Sequence, residues 1–377
     1  MLINNWYVAC ESAQLTGEPR GLRMLGQPVV LFRASDGTAH CLADTCIHRG
    51  GSLCRGKLVD GTIRCPYHGW RFDGAGRCVE IPSLSPETQI PARARVDSYP
   101  VREQWGWVWV FLGDLAEDER PALPGEDLFP EWYAHERGDQ TYRFVRGSFV
   151  FATNYKRAIE NVLDPSHPNF VHSEFGPVQG AIVRPFEVML DERQTWAGHR
   201  FMSAQKSGSW READKGVDAE NRVSLYWSGL VFRNDVRPRP DWHHIVMSGY
   251  LPIDEHHTLS TWIHARTFLH GEAEDKVAVA RVTKVFEEDA AVINHVAPVE
   301  SPAAGRLELL LESDKHIVEF RREMLRREAL GWRIDTARIE AERGRLVYAI
   351  PCPARRQQKS WVHEPAPLTA SFQVSRQ

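Results

Sequence analysis

Cys46-Ile47-His48-Arg49-Gly50-Gly51 and Cys65-Pro66-Tyr67-His68-Gly69-Trp70 carry the most specific pattern in this chain. Written out, it is C-x-H, sixteen intervening residues, then C-x2-H. Two thiolates and two imidazoles on paired loops are a metal-binding set, and four such ligands would suit a structural zinc. The C-x-H spacing is unusual for a zinc finger, however. Gly50, Gly51 and Gly69 suit two tight loops closing over a cluster. An iron–sulfur centre of mixed ligation has this donor set: two Cys hold one iron and two His the other, which raises the reduction potential above that of an all-Cys cluster.

The cysteine distribution agrees. Seven occur, at 10, 41, 46, 54, 65, 78 and 352, and six of them lie within the first 78 residues. An odd number in a large chain argues against a disulfide scaffold and for metal chemistry near the N-terminus. Around the loops run short β-rich segments, Val29–Phe32, Thr62–Arg64 and Trp107–Phe111, punctuated by Asp36-Gly37, Asp60-Gly61 and Asp73-Gly74. Asp-Gly pairs are hairpin signals, so residues 1–118 read as a small antiparallel β-domain.

The length of 377 residues leaves room for a second domain, 119–377, after the linker-like Pro121, Pro124 and Pro130. Hydrophobic content of 42% and charged content of 25% are ordinary for a globular protein. Thirteen Trp suit a large apolar interior or pocket, and equally a plain core. A net charge of −4 without blocks of one sign argues against nucleic acid or a membrane surface as partner. The N-terminal Met1–Cys10 lacks the basic leader of a signal or transit peptide, and no run reaches the roughly 18 apolar residues of a membrane span. The expected location is the cytoplasm.

A second constellation follows in Asn154–His172. Residues 153–163 have helical periodicity through Ile159, Val162 and Leu163. His167 and His172, five apart, would point about 140° away from each other on a regular helix. Pro165 and Pro168 make a broken helix plausible, and only a break lets both rings reach one ion. Asp164 and His167, at i and i+3, can meet, which is how a carboxylate accepts the second N–H of a ligand imidazole.

Taken in order, these motifs resemble those of the Rieske ring-hydroxylating oxygenases. Cys46, His48, Cys65 and His68 match the Rieske loops. Glu160, Asn161, Asp164, His167 and His172 match the pattern E-N-x2-D-x2-H-x4-H. Respiratory Rieske proteins instead resemble C-T-H-L-G-C and C-P-C-H with a disulfide beside the cluster; Gly51 and Tyr67 stand at those positions here. The third ligand of a two-His, one-carboxylate iron site would come from a late helix, 273–297, through an F-x-x-D that Phe286 and Asp289 supply. Glu288 is the local competitor, and Asn294 and His295 depart from the glutamate and glutamine that often follow.

The resemblance implies an α+β architecture, an antiparallel β Rieske domain followed by a helix-grip (START-like) antiparallel sheet catalytic domain. It implies a 2Fe–2S cluster, a mononuclear Fe(II) held by His167, His172 and Asp289, and a supporting Asn161 near that iron. It implies use of O2 on a small aromatic or cyclic substrate, with electrons relayed from NAD(P)H by a reductase or ferredoxin. No G-x-G-x-x-G follows a strand, so the nicotinamide is expected to bind elsewhere. A ring-shaped homotrimer is implied as well, with Asp164 bridging His68 of one subunit and His167 of the next. The chain looks most like the homomeric phthalate, vanillate and dicamba group, which favours hydroxylation or demethylation. Cis-dihydroxylation by a dioxygenase is the alternative, and an electron-transfer Rieske protein without catalytic iron is the alternative from another class.

Expected catalytic strands are Val223–Phe232, Ile245–Pro252 and Thr258–Thr267, with a terminal helix over Leu307–Leu330. Arg321, Arg322, Arg326 and Arg327 on that helix read as a solvated face, with docking of an acidic ferredoxin as the second reading. The C-terminal Ile350–Arg356 and Trp361 are expected to pack back over the domain. Substrate identity is not legible, and the pocket residues, between roughly 180 and 270, cannot be assigned singly.

Overall fold

The structure is a computed structural model, and it describes residues 1–172, 183, 187–202, 218–239, 241–302 and 307–374. The chain divides into two compact units, one formed by 1–122 with 326–377 and the other by 123–325.

The first unit holds β1 (Asn5–Glu11), β2 (Arg20–Met24), β3 (Gln27–Arg33), β4 (Ala39–Ala43), β5 (Lys57–Val59), β6 (Thr62–Arg64), β7 (Arg71–Phe72), β8 (Cys78–Glu80), β9 (Ser98–Tyr99), β10 (Val101–Gln104) and β11 (Trp107–Leu112). They form three antiparallel sheets, ordered β1-β11-β10, β2-β3-β4-β9 and β5-β6-β7-β8. The three Asp-Gly pairs fall in the turns between β3 and β4, β5 and β6, and β7 and β8. At the middle one both Asp60 (φ 48°) and Gly61 (φ 72°) are left-handed, the conformation a two-residue hairpin of matching twist requires.

In the second unit, α1 (Pro130–Glu136), β12 (Arg143–Phe151), α2 (Tyr155–Leu163) and α3 (Pro168–Val171) precede the run of strands β13 (Val188–Leu190), β14 (Gln194–Met202), β15 (Asp218–Tyr226), β16 (Val231–Arg239), β17 (Trp242–Pro252) and β18 (Thr258–Arg266). These strands form one seven-stranded antiparallel sheet in the order β12-β18-β17-β16-β15-β14-β13. The helix α4 (Glu272–Ile293) lays a buried stripe of Ala278, Val282, Phe286, Asp289, Ala290 and Ile293 on it, at helix-face spacing. Phe286 anchors that stripe against Phe149 (5.8 Å), Phe151 (5.6 Å) and Trp262 (6.5 Å between ring centroids). Trp262 reaches across the neighbouring strand at Gly147, where an added Cβ would lie 2.4 Å from its ring.

Three expectations about single elements need correction. The segment Val223–Phe232 is two strands, because a 3-10 turn at Ser228–Leu230 with Gly229 at φ 83° reverses the chain. The late helix α5 starts at Lys315, not at Leu307, and covers Lys315–Ala329. Its Arg321 is not on a solvated face: the side chain is 11% exposed and grips Glu160 with two nitrogens, at 2.6 and 3.0 Å.

Residues 326–377 group with the N-terminal unit, whereas 119–377 was expected as one domain. The segment carries α6 (Thr336–Ala341), β19 (Tyr348–Ala349), α7 (Ala354–Gln357) and β20 (Glu364–Pro365). Backbone hydrogen bonds join Ile3 N–H to the Trp332 carbonyl (2.8 Å) and Ile334 N–H to the Met1 carbonyl (2.9 Å). Tyr99 donates its hydroxyl to the Ile350 carbonyl (2.9 Å), and Arg355 forks onto buried Asp97 at 2.6 and 2.8 Å. Trp361 takes the guanidinium groups of both Arg95 and Arg355 on its ring, at 4.9 and 4.5 Å.

Candidate metal centres

The two cysteine–histidine loops have matching backbones. Cys46 N–H donates to the Gly51 carbonyl (2.8 Å) and Gly50 N–H to the Cys46 carbonyl (2.9 Å); Cys65 and Gly69 repeat both bonds with the carbonyls of Trp70 (2.8 Å) and Cys65 (3.1 Å). Gly50 and Gly69, each four residues after its cysteine, are left-handed at φ 71° and 74°, so both loops need glycine there. Cys46 and Cys65 are buried, and their loops rest on the core residues Leu53, Ile63, Phe72 and Val96. The imidazoles lie side by side, His48 and His68 at 4.4 Å between ring centroids, with Trp70 stacked on His48 at 4.5 Å. His48 is exposed, and Tyr67, whose ring lies 3.9 Å from that of His68, is 61% exposed.

The donor set fits a two-iron cluster. Burial pushes the Cys46 thiol up to about 12, helped by the neighbouring Cys65, so a thiolate there needs a cation against it. The cysteines bear no disulfide, and the four side chains form a thiol pair and an imidazole pair, not a set converging on one point. That is the division of ligands between two irons, and it disfavours zinc. An added Cβ on Gly51 would stand 3.4 Å from the Tyr67 Cβ, close to the spacing of two bridged cysteines, so the two loops approach each other at these positions.

The second centre forms where α2 ends and α3 begins. Asp164 closes α2, Pro168 opens α3 at its first position, and His167 and His172 flank the new turn. This restart answers the 140° problem. His167 Nε2 and His172 Nε2 both face Asp289 Oδ1 from α4, at 3.5 and 3.3 Å. Asp289 is 3% exposed, and its Oδ1 has no hydrogen bond of proper geometry. Two imidazole nitrogens and a buried carboxylate oxygen so spaced fit three ligands bound about 2.1 Å from one ion. Behind each ring stands a further carboxylate: Asp164 Oδ2 at 3.3 Å from His167 Nδ1, and Glu288 Oε2 at 3.1 Å from His172 Nδ1. Asp164 is itself held by the Ser166 backbone (2.9 Å) and hydroxyl (2.6 Å).

The electrostatics follow. Burial alone would lower the His167 imidazole, but Asp164 and Asp289 outweigh it and raise the group to about 9. Burial alone would raise Asp289, yet the two imidazoles bring it down to about 2. A negative carboxylate between two rings calls for a positive charge, which an ion supplies without protonating either ring. Glu288, weighed earlier as a rival ligand, instead lies on the far side of His172. For Asn161 the visible role is backbone: its carbonyl accepts the Asp164 N–H at 3.3 Å.

Sequence reasoning missed what anchors α2. Glu160 and Glu308 interleave with Arg157 and Arg321, with N–O distances of 2.6–3.2 Å. Arg157 also donates to the Pro298 carbonyl (3.0 Å). Nothing local in the sequence announces that partnership across some 150 residues. A second cluster of ligand-type residues, Glu131, Asp235 and His243, already encloses a cation, because Arg233 bonds Glu131 at 2.9 Å and Asp235 at 2.5 Å.

Comparisons with known proteins agree with this geometry. Residues 5–100 match the family model described as Rieske [2Fe-2S] domain, and 151–329 match Vanillate O-demethylase oxygenase C-terminal domain. The dicamba O-demethylase oxygenase component of Stenotrophomonas maltophilia is 38% identical over 169 residues, 45% of this chain and 47% of that protein. The 4beta-methylsterol monooxygenase of Methylococcus capsulatus is 32% identical over 227 residues, 59% of this chain and 58% of that protein. The matched region thus spans about half the length of these relatives. A crystal structure of dicamba monooxygenase bound to dicamba superposes with a TM-score of 0.71 at 27% identity, over 88% of this chain and 98% of that one. The paired cluster loops thus lie in a Rieske [2Fe-2S] domain and the three candidate ligands in or beside a Vanillate O-demethylase oxygenase C-terminal domain, and this pair of domains is what the chain shares with the Rieske non-haem iron oxygenases.

Proposed function

We propose that the protein is a terminal oxygenase that hydroxylates or oxidatively demethylates an aromatic or cyclic small molecule. It would take O2 as co-substrate and electrons from NAD(P)H through a reductase or ferredoxin. The observation that carries this reading is the convergence of His167, His172 and Asp289, each imidazole backed by a carboxylate, in a chain that also bears the paired cluster loops. When bound, the cluster supplies single electrons and the mononuclear iron, with coordination positions left open, activates O2.

The chain's own groups have definable tasks. Cys46 and Cys65 would hold the inner iron of the cluster and His48 and His68 the outer one, so electrons would leave on the exposed imidazole side. Asp164 and Glu288 keep the protons of His167 and His172 on Nδ1, which leaves each Nε2 lone pair for iron. Phe149, Phe151, Trp262 and Phe286 exclude water beside the centre. Asn161 supports the site from α2. Asp164 would also join His167 to His68 of a neighbouring subunit in a homotrimer. The protein would work in the cytoplasm, in keeping with the finding that no helix among the described residues is long and apolar enough to cross a membrane.

Iron analysis tests the reading directly: about three iron atoms per chain are expected, two in the cluster and one beside Asp289. Two would leave an electron-transfer protein and sink the oxygenase. With 18O2, one labelled atom in the product marks monooxygenation, and two in a diol mark the dioxygenase alternative.

A further inference from the structure

The two cluster loops share a backbone plan but differ in what stands at its last position. Cys46 N–H bonds the Gly51 carbonyl as Cys65 N–H bonds that of Trp70, so Gly51 and Trp70 are equivalent. A Cβ on Gly51 would lie 3.0 Å from Cys65 Sγ and 3.4 Å from the Tyr67 Cβ, so a side chain there would press on a cluster ligand. The other loop carries the largest side chain of all at this place. Its indole crosses to the first loop and lies flat on the His48 imidazole, with ring centroids 4.5 Å apart and planes 5° from parallel. Trp70 is half-buried and packs against the core that includes Leu53, Ile63 and Phe72.

The second imidazole is covered differently. Tyr67 meets the ring of its neighbour His68 at 3.9 Å with a tilt of 34°, and it is 61% exposed. The second loop thus supplies both aromatic covers, but only Trp70 reaches across to the other loop and is rooted in the core. Net charge and solvent exposure both set the potential of an iron–sulfur cluster. Reduction adds one negative charge, which the electron-rich face of an indole disfavours. The indole also keeps water, which would favour that charge, off one side of the His48 ring. Both effects act in the same sense.

We propose that Trp70 is a positioning residue for the cluster: stacked on His48, it holds that ligand in place and keeps the reduction potential down. Stacking of this kind is worth about threefold to tenfold in an equilibrium. For one electron that is about 30 to 60 mV, at 59 mV per tenfold. Tyr67, tilted and exposed, contributes less. The inference deepens the oxygenase reading and rests only on its cluster half; neither the mononuclear iron nor the substrate enters it.

Potentiometric titration of the cluster-loaded full chain, followed by the EPR signal of the reduced cluster, tests this role. Trp70→Leu should raise the midpoint potential by about 30 to 60 mV, a shift of about threefold to tenfold toward the reduced form. Trp70→Phe keeps a flat ring and should move less than half as far. Tyr67→Leu should also move less than Trp70→Leu. Acid-labile sulfide, two per cluster, shows that each variant is loaded. An unshifted or lowered potential in Trp70→Leu overturns the assignment, and so does a Trp70→Phe or Tyr67→Leu protein that moves as far. Where Trp70→Leu no longer holds the cluster, Trp70→Phe decides: a raised potential supports the assignment and an unchanged one overturns it. Failure here leaves the oxygenase reading standing. A count of two irons per chain sinks that reading, while the potentials still judge Trp70.

Discussion

The cluster loops and the three-ligand centre use the same kinds of side chain but reach their geometry by opposite routes. Each cluster loop is a six-residue unit whose shape is set by its own backbone: two internal hydrogen bonds and one left-handed glycine. The other centre has no such local frame. Its candidate ligands come from the broken turn at 164–172 and from α4, more than a hundred residues later, and its alignment depends on Phe286 packing and on the clamp of Arg321 and Arg157 on Glu160. A locally framed site tolerates disturbance elsewhere, whereas a site assembled from distant elements inherits every weakness of its supports.

The contrast can be broken most severely at a ligand. His172→Ala should bring the iron count from about three to about two per chain and turnover to background, while the cluster's visible and EPR spectra stay as in the wild type. Loss of the cluster signal as well would mean that the two centres are not framed independently. Next in size, the two backing carboxylates should part company. Glu288→Gln should weaken iron binding by about 10–100-fold, measured by chelator competition. Asp164→Asn should retain both metals and yet nearly abolish turnover, as an electron bridge requires; a fully active Asp164→Asn enzyme removes that residue from the path. The smallest effect is expected within a loop. Gly69→Ala forces a side chain into a left-handed position at about 1–2 kcal/mol, and its Cβ would come 3.1 Å from Pro82. Cluster content should fall, with the mononuclear iron unchanged in iron analysis.

The same difference sets what could be read from the sequence. Spacing, glycines and the three Asp-Gly turns are local, and the loops and the hairpins between β3 and β4, β5 and β6, and β7 and β8 were legible from them. Pro165 and Pro168 announced a broken helix, which is how His167 and His172 come to face one carboxylate. The split between β15 and β16 was missed because the segment Ser228-Gly229-Leu230 sits in an otherwise continuous apolar run. Arg321 read as a surface charge because only folding brings Glu160 and Glu308 to it. The parting of Glu288 and Asp289 also lies beyond periodicity: neighbours on α4, they differ in which nitrogen of His172 they address.

The grouping of 326–377 with 1–122 bears on how the molecule is made. A ribosome delivers β1 to β11 first, yet the strand-end residues Asp97 and Tyr99 meet Arg355 and Ile350 only after the whole of 123–325 has emerged. The intervening unit can fold while the first waits, in keeping with the domain-by-domain order of synthesis. A premature stop after α5 would therefore wound the earliest-made part of the protein, leaving Asp97 without its arginine although every strand of the second unit had been made.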